Sequence, residues 1–210
     1  MSYAVKEIFL TLQGEGRHSG RAAVFCRFAG CNLWSGLESG RAVAICKFCD
    51  TDFVGLDGTL GGRYVDAARL ADTIAGEWPG GGRPLVVCTG GEPLLQLDQA
   101  LVDALHARGF EVAVETNGSI GTPPAGIDWL CVSPKAGAPF ELRAGDELKL
   151  VWPQPSFDLS ELEVLPFRRF ALQPMDGPDV AANTRAALAL CLARPVWELS
   201  LQTHKITGIR

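Results

Sequence analysis

Several features that would steer a reading are missing from this 210-residue chain, and each absence closes a class of function. No run of five basic residues occurs and the net charge is −5, so neither a phosphate track for nucleic acid nor attraction to an anionic membrane is written into it. No apolar stretch reaches the roughly 18 residues that a spanning helix needs. Met1 to Leu10 carries Lys6 and Glu7 and lacks the charged-then-apolar layout of a secretory signal. A cytoplasmic address, with no nucleic-acid or membrane partner, is expected. There is no internal repeat and no low-complexity tract. The seven cysteines are odd in number, and the chain is too large to need covalent staples, which argues against a disulfide framework and turns the question to which of them bind metal.

What is present is a core: 47% apolar against 20% charged residues predicts a globular fold, and the length predicts one domain over 1–210. Short apolar runs alternate with helical periodicity. Ala23–Phe28 predicts the first strand, followed by a Gly-, Cys- and Asp-rich loop from about 30 to 62. Loops of that length inside a compact domain are usually functional. Tyr64–Trp78 predicts a helix, Leu85–Thr89 a strand, and Leu94, Leu97, Leu101, Val102 and Leu105 one face of a helix ending near Gly109. Further strands are predicted at Phe110–Thr116, Trp129–Ser133, Glu147–Val151, Arg169–Gln173 and Val196–Gln202, with a helix at about Val180–Leu192. Repeated strand–helix–strand order implies a mostly parallel α/β sheet. A closed eight-fold barrel takes about 250 residues, so an incomplete, TIM-like barrel with outer helices is expected.

Parallel strands end together on one face, where active sites collect. The residues at those predicted ends are polar: Arg27, Thr89 to Glu92, Glu115 to Asn117, Ser133 to Lys135, Gln173, and Gln202 to His204. Beside them runs a cysteine pattern, Cys31, fourteen residues, Cys46, two residues, Cys49. Cys46 and Cys49 share one tight turn, as any tetrahedral sulfur site requires. Two readings stand. Cys26 joins the three in a closed zinc site, or three thiolates carry an iron–sulfur cluster with one open iron. Side chains alternate along a strand, which places Cys26 with Val24 and Phe28 in the core and favours the second. Cys88, Cys131 and Cys191 read as small core residues.

The segments Glu7–Gly16 (with Gln13-Gly14-Glu15), Phe25–Leu33, Cys46-Lys47-Phe48-Cys49-Asp50-Thr51, Gly90-Gly91-Glu92-Pro93, Glu115–Gly118, Ser133-Pro134-Lys135 and Gln173-Pro174-Met175-Asp176 together resemble the 7-carboxy-7-deazaguanine synthases of the radical S-adenosylmethionine group. One departure is plain. The usual spacing in that family places three residues between the first two cysteines, where Ser35 stands here. An insertion, Gly36–Ile45, displaces the second cysteine to position 46, and loop closure costs little per added residue.

The resemblance implies a [4Fe–4S] cluster on Cys31, Cys46 and Cys49, S-adenosylmethionine on the open iron, and a magnesium ion on Thr51. It implies cofactor contacts from Phe48, Asp50, Gly91, Ser133, Pro134, Lys135, Gln173, Pro174, Met175 and Asp176. It implies a pterin substrate met by Leu12, Gln13, Gly14, Glu15, Arg27, Thr89, Glu115, His204 and Arg210, with Arg27 on its carboxylate. The implied reaction begins with a 5′-deoxyadenosyl radical taking hydrogen from C6 of 6-carboxy-5,6,7,8-tetrahydropterin. It ends in ring contraction and loss of ammonia, with no protein catalytic group assigned beyond the cluster and cofactor. A flavodoxin- or ferredoxin-type electron donor and a homodimer are expected on the same ground. A radical activase acting on a partner protein, or a zinc-stabilised binding module, are the competing functions. Glu92 is expected only to cap the helix after Pro93.

Overall fold

The computed structural model describes residues 2–210. Its strands are β1 (Tyr3–Leu12), β2 (Ala22–Phe28), β3 (Gly62–Tyr64), β4 (Leu85–Gly90), β5 (Glu111–Thr116), β6 (Trp129–Val132), β7 (Gly145–Trp152), β8 (Phe167–Pro174) and β9 (Trp197–Leu199). The helices are α1 (Ala67–Gly76), α2 (Gln99–His106), α3 (Leu159–Glu163), α4 (Val180–Ala193) and α5 (Thr203–Thr207). All nine strands join one unclosed sheet in the order β3-β1-β2-β4-β5-β6-β7-β8-β9. From β2 to β9 every pairing is parallel, whereas β1 runs antiparallel to β2 and β3 antiparallel to β1. Among the described residues no helix is long and apolar enough to cross a membrane.

Period-two alternation divides the sheet into two faces of different chemistry. Val24, Cys26, Phe28, Val86, Cys88, Val112, Val114, Leu148, Leu150 and Leu172 point to the helix side and form one apolar core with Leu70, Ile74, Leu101 and Leu105. Leu148 is fully buried there, a burial that contributes on the order of 2 kcal/mol. The other face has a small apolar floor of Ala23, Leu85, Val87 and Ala113, flanked by Phe25 and Trp129. Above that floor the inward positions turn polar. The sheet curls around this face: Thr203 N–H donates to Gly14 O at 2.9 Å, Gly16 N–H to Ser200 Oγ at 2.9 Å, and Arg17 N–H to Glu147 Oε2 at 3.0 Å. The result is a partial barrel.

Three expectations shift. The first strand is β1, not Ala23–Phe28; β1's Glu7 and Thr11 face the barrel beside Phe9 and interrupt an apolar signal. Tyr64 belongs to β3, and α1 begins only after Asp66, whose side chain accepts from Arg69 N–H. The helix expected from Leu94 splits into a short 3₁₀ turn, Pro93–Leu95, and α2, which starts after Asp98 caps Leu101 N–H. The connections 117–128 and 133–144 contain no helix. Each is rich in glycine and proline, which remove the donors and restraint a helix requires.

Candidate active site

Two adjoining cavities open at the C-terminal ends of the parallel strands. One, of about 190 Å³, is walled by Cys31, Cys46 and Cys49 together with Phe48, Asp50, Thr51, Gly91, Ser133, Lys135, Gln173, Pro174 and Asp176. The other, of about 260 Å³, is bordered by Leu12, Gln13, Gly14, Glu15, Arg27, Thr89, Glu115, His204 and Arg210. Glu15, Asp50, Thr51, Thr89, Glu115 and Gln202 border both. Pro134 and Met175 stand outside both linings. The Pro134 carbonyl accepts from Gln154 Nε2 at 3.3 Å, and Met175 N–H donates to Trp152 O at 2.7 Å, so both hold neighbouring backbone in place.

The cysteine wall is a loop pressed onto the ends of β2 and β4. Trp34 packs edge-on against Phe53, with ring centres 5.6 Å apart, and pins the loop at both ends. Leu33 N–H reaches Cys31 Sγ at 3.4 Å. The hydrogen bond between Cys46 and Cys49 drives the proton onto Cys46 and draws the Cys49 thiol below its usual range. Among the described residues no three His, Cys, Asp or Glu side chains converge on a point that would hold a single metal ion. The three thiols line one wall of the cavity. Cys26 lies on the opposite face of the sheet, fully buried beside Cys88, and cannot join them. Gly91 presses bare backbone against the loop: a Cβ there would meet Gly30 O at 2.0 Å and Cys31 Cβ at 2.8 Å. The fully buried Glu92 accepts from Leu94 N–H, Thr116 Oγ1 and Asn117 N–H. Its capping role is as expected, and it also ties the ends of β4 and β5 together.

On the barrel side, Lys149 supplies a buried cation that sequence reasoning missed. Its Nζ donates to Glu15 Oε2 at 2.7 Å and to Glu115 Oε2 at 2.8 Å. Burial pushes the Glu15 carboxyl up, but the Lys149 ammonium, with help from Gln202 and His204, holds it down to about 2. Glu115 moves the other way: burial raises it, Lys149 offsets part of the rise, and Glu15 adds to it. Two like charges sharing one cation in low dielectric split into one firm anion and one readier proton carrier. Gln13, also buried, accepts from Glu15 N–H at 3.1 Å.

Arg27 Nε donates to Glu7 Oε1 at 2.8 Å, and its terminal nitrogens make no other hydrogen bond among the described residues. Arg210 pairs with the same Glu7, stacks over Phe9 at 4.4 Å and donates to Thr59 Oγ1 at 2.9 Å. It is docked rather than frayed. α5 closes the mouth as a strap. Lys205 pairs with both Asp50 and Asp176, and Gln202 Nε2 donates to Glu15 Oε1 at 2.9 Å and Asp50 Oδ2 at 3.2 Å. His204 sits so close to Gly14 that a Cβ there would meet its Nδ1 at 2.2 Å. Lys135 donates to Ser133 Oγ at 2.8 Å, and burial pushes its ammonium down. Glu7 and Lys149 were not singled out as site residues from the sequence, though an inward-facing charge in an otherwise apolar strand was the signal for each; Gln202 was read only as a polar strand end.

A partial parallel barrel with three cysteines on a loop at the C-terminal ends of its strands, beside a cavity lined by Gly90 and Gly91, is the arrangement of a radical S-adenosylmethionine enzyme, the class to which its relatives belong. No family model matches the chain. Among curated proteins it is 66% identical to the 7-carboxy-7-deazaguanine synthase of Bradyrhizobium diazoefficiens and 62% identical to that of Caulobacter vibrioides, in each case over 100% of both chains. Among solved structures it is similar to QueE from Escherichia coli, with a TM-score of 0.71 and 28% identity over 96% of this chain and 94% of that one. The chain belongs to the 7-carboxy-7-deazaguanine synthase family.

Proposed function

We infer that the chain contracts the ring of 6-carboxy-5,6,7,8-tetrahydropterin to give 7-carboxy-7-deazaguanine and ammonia, in the biosynthesis of queuosine and other 7-deazapurines. The observation that carries this reading is the junction of the two cavities. Thr51, Thr89, Glu15 and Glu115 border both, so a ligand on the cysteine side and one on the barrel side would lie next to each other.

The residues present fit a [4Fe–4S] cluster: three thiols share one wall, no fourth protein sulfur lines it, and Gly91 leaves bare backbone beside Cys31. Cys31, Cys46 and Cys49 would hold the cluster. Gly91, Phe48, Asp50, Ser133, Lys135, Gln173, Pro174 and Asp176 would receive S-adenosylmethionine, with Pro134 and Met175 shaping the segments that do so. Bound and reduced, the cluster and its sulfonium partner supply the one-electron chemistry that removes hydrogen from the pterin.

The chain's own residues do the rest. Arg27, steadied at Nε by Glu7, offers its two terminal nitrogens to the substrate carboxylate, and Arg210 stands on the same side. Glu15, kept ionised by Lys149, accepts from the donor edge of the pyrimidine, and Gln13 and His204 extend that edge. Glu115 holds or releases a proton at its carboxyl beside the ring that loses ammonia. The Thr51 hydroxyl gives a magnesium ion one hard oxygen, leaving room for substrate oxygens and water. The α5 strap keeps the site dry. A flavodoxin- or ferredoxin-type donor and a homodimer belong to the same reading, supported by family resemblance. A protein-directed activase has no use for two arginines at the border of a cavity of about 260 Å³.

The test is anaerobic turnover of iron-loaded protein with reductant, magnesium and less than one equivalent of S-adenosylmethionine. Several equivalents of deazaguanine, matched one to one by ammonia, are expected. Fully reduced protein that leaves the pterin untouched overturns the reading.

A further inference from the structure

The inserted segment Gly36–Ile45 has structure of its own. Glu38–Val43 winds into a 3₁₀ turn on the outside of the cysteine wall, and from it Arg41 reaches back to the Cys46–Cys49 turn. Its guanidinium lies 4.0 Å over the Trp34 ring. Nε and Nη2 grip the Glu38 carboxylate at 2.8 and 2.5 Å. The remaining nitrogen, Nη1, donates to Lys47 O at 2.9 Å and Cys49 O at 3.1 Å.

We propose that Arg41 is a positioning residue for the sulfur ligands, and that this is the work the insertion does. With the Lys47 and Cys49 carbonyls tied to the guanidinium, the turn can offer amide groups to the sulfurs, as the Phe48 amide does to Cys46, and hydrogen bonds to sulfur raise the potential of an iron–sulfur centre. A planar fork suits the task and a point charge does not, because one face must stack while three edges bond. Glu38 fixes the fork before any metal arrives. The displaced second cysteine thus comes with its own brace. This inference rests on the cluster assignment to Cys31, Cys46 and Cys49.

The experiment compares full-length Arg41→Gln, Arg41→Lys, Glu38→Gln, Val43→Ala and Cys46→Ser proteins, reconstituted anaerobically. The readouts are iron per chain, the rate of iron loss to a chelator, and the reduction potential followed by electron paramagnetic resonance. Melts by circular dichroism check the fold. Arg41→Gln and Arg41→Lys should both lose iron about tenfold faster than the parent and reduce at lower potential. Glu38→Gln, which frees the fork but leaves its charge, should shift in the same direction by less. Val43 is 89% exposed, so Val43→Ala should match the parent. Parent-like behaviour of Arg41→Gln, full rescue by lysine, or equal lability in Val43→Ala would each overturn the proposal. Cys46→Ser separates the two layers: iron retained there sinks the ligand assignment itself, whereas iron lost there but kept in Arg41→Gln sinks only the brace.

Discussion

The wall that carries Cys31, Cys46 and Cys49 and the floor that carries Glu15, Glu115 and Lys149 face each other across one opening, yet they are built differently. The wall is loop, shaped by a Trp34–Phe53 contact, the Arg41 fork and a bare glycine pressed against it. The floor rests on strand interior, where the directions of Glu115 and Lys149 are set by their places in the pleat, and Glu15 joins them from the turn after β1. A loop can lengthen by ten residues and still deliver its sulfurs. A strand cannot move one residue without turning its charges into the apolar core. Tolerance should therefore differ sharply between them.

The largest effect is expected on the wall. Cys46→Ser should abolish both turnover and bound iron while the apolar core, on the other face of the sheet, still melts cooperatively; iron assay and calorimetry check this. On the floor, Lys149→Met leaves two buried carboxylates without their cation, a loss of about 3–5 kcal/mol by denaturant melt. The same triad sets an acid response. Glu15 titrates near 2 in place of its usual 4.5, so its contribution to stability is complete above pH 4.5 and is lost as pH falls toward 2. Glu15→Gln should flatten that part of the stability–pH curve.

A smaller effect should follow where wall and floor meet the strap. Gly14→Ala drives a methyl into His204, and overpacking of this kind costs about 1 kcal/mol or more, seen as a lowered melting temperature together with a raised KM for the pterin. The smallest is Cys26→Ala, which should cost about 1 kcal/mol of stability and leave iron content intact, since Cys26 lies behind the sheet. Iron lost on that substitution would join the two faces and break the comparison.

The same contrast explains what was legible in the sequence. Cys46-Lys47-Phe48-Cys49, Gly90-Gly91 and Gln13-Gly14-Glu15 are readable because each chemical need lies within a few adjacent residues. The parallel order and partial barrel followed from alternating periodicities. β1 was missed because Glu7 and Thr11 face a polar interior, the opposite of what an apolar strand pattern assumes. Lys149 sits among Leu148, Leu150 and Val151, where one charge reads as a blemish. It gains meaning only when curvature brings Glu15, 134 positions away, to its ammonium. The helix expected after Pro93 broke at Asp98 because a carboxylate that can cap starts a new helix rather than continuing an old one.

The pleat also sorts the thiols for the bench chemist. Cys26 and Cys88 are sealed behind the sheet with no accessible surface, whereas Cys31, Cys46 and Cys49 open onto a cavity. An alkylating reagent applied to native protein therefore meets a short list of reactive sulfurs, and iron would shield three of them. Counting labelled thiols by mass becomes a direct gauge of how many molecules in a preparation carry their metal, with no spectrum required.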